Sequence, residues 1–291
     1  MIRPRRSLLF MPGSNPRALE KARTLPVDGI ILDLEDAVAP DAKAVARDQI
    51  AQTIAAGGFG KREVLIRINA LDTPWWVDDL AMAAKALPDG IVVPKVSSVD
   101  DLAAISDRLN DLGAPMSVKV WAMIETAFAI LHVEELSTQA RHAEVRLAGY
   151  VMGPNDIARE TRIRMVEGRA TMLPFYINCI LAAHAYGLEI LDGPYSDFSN
   201  AAGFAAECAQ SRDMGFDGKT LIHPSQIDAC NAAFTPPAEE VAQARRILAA
   251  FELPENAGRG AIQLDGRMVE RLHADIARRT IAIADAIAAM G

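Results

Sequence analysis

Seven apolar stretches of the chain end in groups able to do chemistry. Asp33-Leu34-Glu35-Asp36 follows one, and Arg67-Ile68-Asn69 follows the next. Then come Pro94-Lys95, Met123-Ile124-Glu125-Thr126, Gly153-Pro154-Asn155-Asp156, Asp192-Gly193 and His223-Pro224. Acids gathered at one rim repel each other unless a cation joins them. The set is rich in oxygen and holds no cysteine, which suits a hard ion. Mg²⁺ takes one or two carboxylates and completes its octahedron with water and substrate oxygens. Glu125 and Asp156, at the ends of consecutive stretches, are the expected metal pair. Each acid taken alone could equally cap a helix or sit in a salt bridge. Zinc would call for His or Cys; the five histidines are scattered and no H-E-x-x-H occurs. Arg67 carries a planar fork of donors and keeps its proton. It is expected to bind a carboxylate or steady an enolate oxygen, or to pair internally with Asp33 or Glu35.

Eight short apolar runs must position these groups: Ser7–Met11, Gly29–Glu35, Glu63–Asn69, Gly90–Lys95, Val118–Glu125, Arg146–Gly153, Leu188–Gly193 and Lys219–Pro224. Uninterrupted apolar runs of this length read as parallel strands covered on both faces. Between and after them lie segments with helical spacing: Asn15–Thr24, Asp41–Ala55, Trp75–Leu87, Ser98–Leu112, Ala127–Gln139, Leu173–Tyr186, Asn200–Met214 and Ser225–Ala233. Eight strand-then-helix units predict an α/β fold, a (β/α)8 TIM barrel over residues 1–234. The rival, a doubly wound open sheet, would usually carry G-x-G-x-x-G after its first strand, and that motif is absent. Residues 235–291 read as a C-terminal helical appendage. One helix starts at Thr235-Pro236-Pro237-Ala238-Glu239-Glu240 and runs to about Phe251. A loop over Leu253–Gly266 and a last helix over Met268–Ala289 follow.

The composition excludes other classes. With 51% hydrophobic and 23% charged residues, the 291-residue chain can bury a large core and is not disordered. A net charge of −8 argues against nucleic acid as a partner. No apolar run reaches the ~20 residues of a membrane span. The start, Met1-Ile2-Arg3-Pro4-Arg5-Arg6 with Ser7–Met11, imitates a signal peptide, but Pro12-Gly13 ends its apolar part too soon. Cys179, Cys208 and Cys230 stand far apart and read as reduced core thiols of a cytoplasmic protein. Arg3, Arg5, Arg6, Arg17 and Lys21 form a basic island, either an anion site beside a helix start or a solvated face. Trp75 and Trp76 read as core or subunit contacts. No G-x-S-x-G elbow is present, which disfavours an acyl-enzyme.

The ordered set Arg6-Ser7-Leu8-Leu9-Phe10-Met11-Pro12-Gly13, Leu32-Asp33-Leu34-Glu35-Asp36-Ala37-Val38, Ile66-Arg67-Ile68-Asn69, Pro94-Lys95, Met123-Ile124-Glu125-Thr126, Gly215-Phe216-Asp217-Gly218-Lys219 and Ile222-His223-Pro224-Ser225-Gln226 resembles the citrate lyase β-subunit-like branch of the HpcH/HpaI aldolase family. The resemblance implies a TIM barrel, commonly trimeric, acting with Mg²⁺ on short acyl-CoA esters. It places the metal on Glu125 and Asp156 and the substrate on Arg67. It places coenzyme A near Phe10 and Lys21, with Asn155 and the His223-Pro224 turn as further contacts. It also implies a C-terminal segment that covers a neighbour's active site and supplies an acid there. Relatives commonly read Gly-x-Met-Val-Asp at that point, whereas this chain reads Gly266-Arg267-Met268-Val269-Glu270. With Val151–Asp156, Glu270 resembles a malyl-CoA thioesterase sub-branch. The implied substrates are 3-hydroxydicarboxylyl-CoA esters, malyl-CoA or citramalyl-CoA. They would undergo either C–C cleavage to an α-keto acid or thioester hydrolysis with Glu270 as base. A carrier-dependent citrate lyase β subunit and a CoA-independent pyruvate aldolase are the alternatives.

Overall fold

The structure, a computed structural model, describes residues 2–290; Met1 and Gly291 lie outside the described residues. The chain divides into two compact units. One is Arg5–Asn231, and the other comprises residues 232–290 with residues 2–4.

The first unit is a closed barrel of eight parallel strands. They are β1 (Ser7–Pro12), β2 (Gly29–Asp33), β3 (Glu63–Arg67), β4 (Gly90–Val93), β5 (Lys119–Ile124), β6 (Leu147–Met152), β7 (Glu189–Asp192) and β8 (Gly218–Leu221). The outer helices are α1 (Pro16–Ala22), α2 (Lys43–Ala56), α3 (Trp76–Ala86), α4 (Val99–Asp111), α5 (Ala127–Leu131), α6 (Val133–Thr138), α7 (Pro154–Thr161), α8 (Leu173–Ala185), α9 (Ala201–Met214) and α10 (Ile227–Phe234). Strand side chains alternate between the two faces of a sheet. Leu8, Ile31, Leu65, Val92, Trp121, Met123, Val151 and Leu191 form one buried cluster that fills the barrel interior. The same parity turns Phe10, Asp33, Arg67, Glu125 and Gly153 inward at the C-terminal ends. It turns Asp192 outward, beside Lys219, its partner in the β7–β8 register.

Most strands stop short of the expected ends. At β2 the Asp33 carboxylate accepts the N–H groups of Glu35 (2.9 Å) and Ala37 (3.1 Å), a turn that ends the strand. At β4 the chain enters the left-handed region at Lys95 (φ 54°). The expected helix over Ala127–Gln139 is two helices. His132 leaves helical geometry (φ −115°, ψ 18°), and its Nδ1 lies 2.9 Å from the Phe128 carbonyl oxygen. Helix α7 was not foreseen. Its signal is Pro154 in the first turn, then Asp156 in the same turn.

In the second unit α11 (Ala238–Glu252) begins after Pro237 rather than at a Thr235 cap. The segment read as a loop holds a hairpin, β9 (Ala261–Leu264) with β10 (Arg267–Glu270). Asp265 and Gly266 at its tip have φ of 50° and 78°, the two-residue turn that Asp-Gly favours. Met268 is 71% exposed and Val269 only 7%, the two-residue period of a strand. The last helix, α12 (Arg271–Ala288), therefore starts three residues later than expected. Phe251, Ile262, Val269 and Ala274 form the core of this unit.

Candidate active site

Asp33 and Arg67 end β2 and β3 and are register partners. Arg67 donates from Nε to Asp33 Oδ1 (2.7 Å) and from Nη2 to Asp33 Oδ2 (2.6 Å), a bidentate fork. Its Nη1 is ion-paired with Glu35 (2.8 Å) and lies 3.8 Å from Asp36. Phe10 lies under the guanidinium, 4.7 Å from ring centre to Cζ. Burial opposes the charge on Arg67, but Asp33 and Glu35 outweigh it and raise its pKa. Burial raises the Glu35 carboxyl, against the pull of Arg67. Lys95 Nζ sits 3.1 Å from the other Glu35 oxygen. Lys43 donates to the carbonyls of Leu34 (2.6 Å) and Glu35 (2.8 Å), fixing the loop that carries these acids.

Glu125 follows β5 and is buried. Its Oε1 accepts the backbone N–H of Lys95 at 2.8 Å. Burial, then repulsion from Glu35 and Asp156, pushes its pKa up to about 8. Asp156 is in the first turn of α7 and is paired with Arg159 (2.5 Å). Gly153, just before that helix, is indispensable to the seat. A Cβ there would fall 2.4 Å from both Cβ and Oε2 of Glu125. Sequence reasoning passed over Gly153; in a Gly-Pro-Asn-Asp stretch it looks like one more turn glycine.

Phe10, Asp33, Asp36, Arg67, Met123, Glu125, Gly153, Asn155 and Asp156 face one cavity of about 330 Å³. The fold thus brings together Arg67, Glu125, Asp156, Phe10 and Asn155. Lys21 is exposed in the last turn of α1, outside the cavity lining. His223 is exposed, stacked on Phe198 (4.9 Å) with Nδ1 2.7 Å from Ser225 Oγ, and Pro224 opens the short turn Pro224–Gln226. Their neighbour Ile222 lines the cavity. Glu270 lies in the second unit as the N-cap of α12. Its own N–H donates to His273 Nδ1 (3.0 Å). Two members of the basic island are matched by acids. Arg5 pairs with Glu63 (2.5 Å) and Arg6 with Asp28 (2.8 Å), at the N-terminal ends of the strands.

A larger cavity, about 810 Å³, adjoins the first along Pro154, Asn155 and Pro194. Size does not make it the better site, because the two buried cations beside it, Arg169 and Lys219, are already paired with Asp192 and Glu207. Asp192 is fully buried and is met by Arg169 (2.7 Å), Lys219 (2.7 Å) and Ser211 (2.5 Å).

The donor set of the smaller cavity fits Mg²⁺. Glu125 has one oxygen pinned and its charge opposed by its neighbours, so a cation placed between it and Asp156 would relieve both. Among the described residues no three of His, Cys, Asp and Glu gather to hold a metal by themselves. Mg²⁺ does not require that, since it keeps several water or substrate ligands.

An eight-stranded barrel whose acids ring the C-terminal mouth is an enzyme architecture. The chain belongs to the HpcH/HpaI aldolase/citrate lyase family, whose model matches residues 6–224. It is 46% identical over 288 residues to a (3S)-malyl-CoA thioesterase of Cereibacter sphaeroides, covering 99% of this chain and 97% of the relative. It is 37% identical to an L-malyl-CoA/beta-methylmalyl-CoA lyase of the same species, covering 92% and 91%. The CitE protein of Mycobacterium tuberculosis, solved with magnesium, acetoacetate and coenzyme A, superposes with a TM-score of 0.77 at 28% identity. That match covers 96% of this chain and 97% of that one.

Proposed function

We propose that the protein is a Mg²⁺-dependent enzyme that hydrolyses the thioester of a short 3-hydroxydicarboxylyl-CoA, of which (3S)-malyl-CoA is the model substrate. The observation that carries this reading is the Glu125–Asp156 pair facing the cavity beside Arg67. Higher identity to a thioesterase than to a lyase favours hydrolysis over C–C cleavage. Among the described residues no helix is long and apolar enough to cross a membrane, and the buried free thiols suit a cytoplasmic enzyme.

Glu125 and Asp156 hold the metal. Bound Mg²⁺ supplies a Lewis acid and a template for the substrate's carboxylate and hydroxyl oxygens. Arg67 is locked by Asp33 and Glu35, so it needs no reorganisation during the reaction. The second N–H of Nη2 is its donor to the thioester oxygen as negative charge develops there. Phe10, Lys21, Asn155, His223 and Pro224 contact the coenzyme A portion. Glu270, contributed by a neighbour in a homotrimer, is the base that takes the proton of the attacking water.

Purified protein with Mg²⁺ and (3S)-malyl-CoA tests this. Free thiol without α-keto acid is the expected product pattern. Keto acid without thiol would make the protein a lyase. Neither signal would overturn the substrate class. Glu270→Gln keeps the side-chain size and the backbone bond to His273 but loses the base. It should lower kcat at least 100-fold with the thermal midpoint unchanged; full activity would remove Glu270 from the mechanism.

A further inference from the structure

We propose that Lys95 is the mobile cation of the mouth, leaving Glu35 to bind the free carboxylate of the acyl group when substrate enters. The inference rests on the functional reading above, in that the acyl group carries a carboxylate.

Three observations carry it. The first is a donor count. An ammonium has three N–H groups, and among the described residues the one side-chain partner of Lys95 Nζ is Glu35 at 3.1 Å. The Lys95 side chain is 37% exposed, against 10% for Arg67. Arg67 is gripped by Asp33 and Glu35 and cannot follow an arriving ligand. Glu35 keeps Arg67 as a partner when Lys95 departs, so the move strands no buried charge.

The second observation is the backbone. Lys95 adopts φ 54°, a conformation that glycine takes at lower cost. It is held there by its own N–H on Glu125 (2.8 Å) and by the Ser97 hydroxyl donating to its carbonyl (3.1 Å). Ser97 in turn bonds Thr126 at 2.9 Å. A glycine would supply the same backbone N–H to Glu125. The long cationic side chain is the part that the turn does not explain.

The third is charge. Asp33, Glu35, Asp36, Glu125 and Asp156 gather at the mouth. Arg67, Lys95, Lys43 and the Arg159 that pairs with Asp156 oppose them, but Lys43 is bound to two loop carbonyls. A divalent cation leaves this set with one positive charge in excess. A substrate carboxylate restores the balance, and Lys95, beside Glu35, is the cation with donors to meet it.

Lys95→Met, Lys95→Gly and Lys95→Arg test the assignment. The side chain changes while the backbone N–H to Glu125 stays, so Mn²⁺ affinity, followed by electron paramagnetic resonance, should move less than twofold. KM for malyl-CoA should rise about 10- to 100-fold in the Met and Gly variants, the range for a lost charge-assisted hydrogen bond. Inhibition by free coenzyme A, which lacks the acyl carboxylate, should be unchanged. Arg should restore most of the affinity. An unchanged KM in both Met and Gly variants would overturn the proposal, as would equal losses for malyl-CoA and free coenzyme A. A wild type that does not turn over malyl-CoA would sink the functional reading instead. Binding of malate to the Mg²⁺-loaded protein, by titration calorimetry, then decides Lys95. Binding lost in Lys95→Met supports the assignment; equal binding, or none in the wild type, rejects it.

Discussion

Two charged clusters of the barrel unit use nearly the same side chains to opposite ends. Around Asp192, Arg169 and Lys219 supply two cations, and Lys219 also meets Glu207 at 2.7 Å. Burial opposes ionisation of Asp192, but Lys219 and Arg169 prevail and hold its pKa below the usual range. At the mouth Glu125 has carboxylates for neighbours, and its pKa is pushed up to about 8. Both clusters join adjacent strands through register partners, Asp192 with Lys219 and Asp33 with Arg67. What differs is charge balance. A matched cluster ties a sheet to its helices, whereas an acid-rich one facing a cavity is built to receive a cation.

Substitutions break this comparison in opposite ways. The largest effect belongs to the mouth. Glu125→Gln and Asp156→Asn should each lower Mg²⁺-dependent turnover more than 1,000-fold by steady-state assay, as loss of a metal ligand does, and leave the fold intact. Either variant at full rate would end the metal assignment. Asp192→Asn should behave in reverse. Stability to urea should fall by roughly 3–5 kcal/mol, the cost of leaving buried cations unpaired, while Mn²⁺ binding persists. Gly153→Ala joins the two effects. Its Cβ must displace Glu125, so we expect a stability loss of about 1–3 kcal/mol and weaker Mn²⁺ binding. An affinity equal to the wild type's would show that Glu125 has another seat.

The pH dependence sharpens the contrast with the smallest changes. Asp192 is depressed in the fold, so its contribution is present above the unfolded carboxylate pKa of about 4. It is lost as pH falls through the folded value. Glu125 is raised, so the metal-free fold binds the extra proton between about pH 4 and 8 and loses stability as pH rises through that window. Urea titrations should show this second slope in the wild type and not in Glu125→Gln. Below pH 8 a metal must also displace the Glu125 proton, so Mn²⁺ affinity should weaken towards acid pH. An affinity flat from pH 6 to 8 would contradict the raised Glu125.

The order of the strands was legible because each is covered on both faces and so reads as an unbroken apolar run. The reactive groups were legible because they follow those runs. Helix α7 and the β9–β10 hairpin were harder, since both rest on short-range turn chemistry within polar segments. Gly153 was hidden altogether. Its importance comes from the atoms of Glu125 on the adjoining strand, which spacing along the chain does not express.

The sequence by itself determined the barrel, its strand order and the acids at its rim, through local hydrophobic patterning. It set Asp192-Gly193 on the same rim and chose Glu125 and Asp156 as the metal pair, without showing how Asp192 is held. Only the tertiary structure supplied that, because side-chain parity and partners 27 residues away at Lys219, or 30 residues away at Lys95, decide whether a buried carboxylate is matched or waits for a cation.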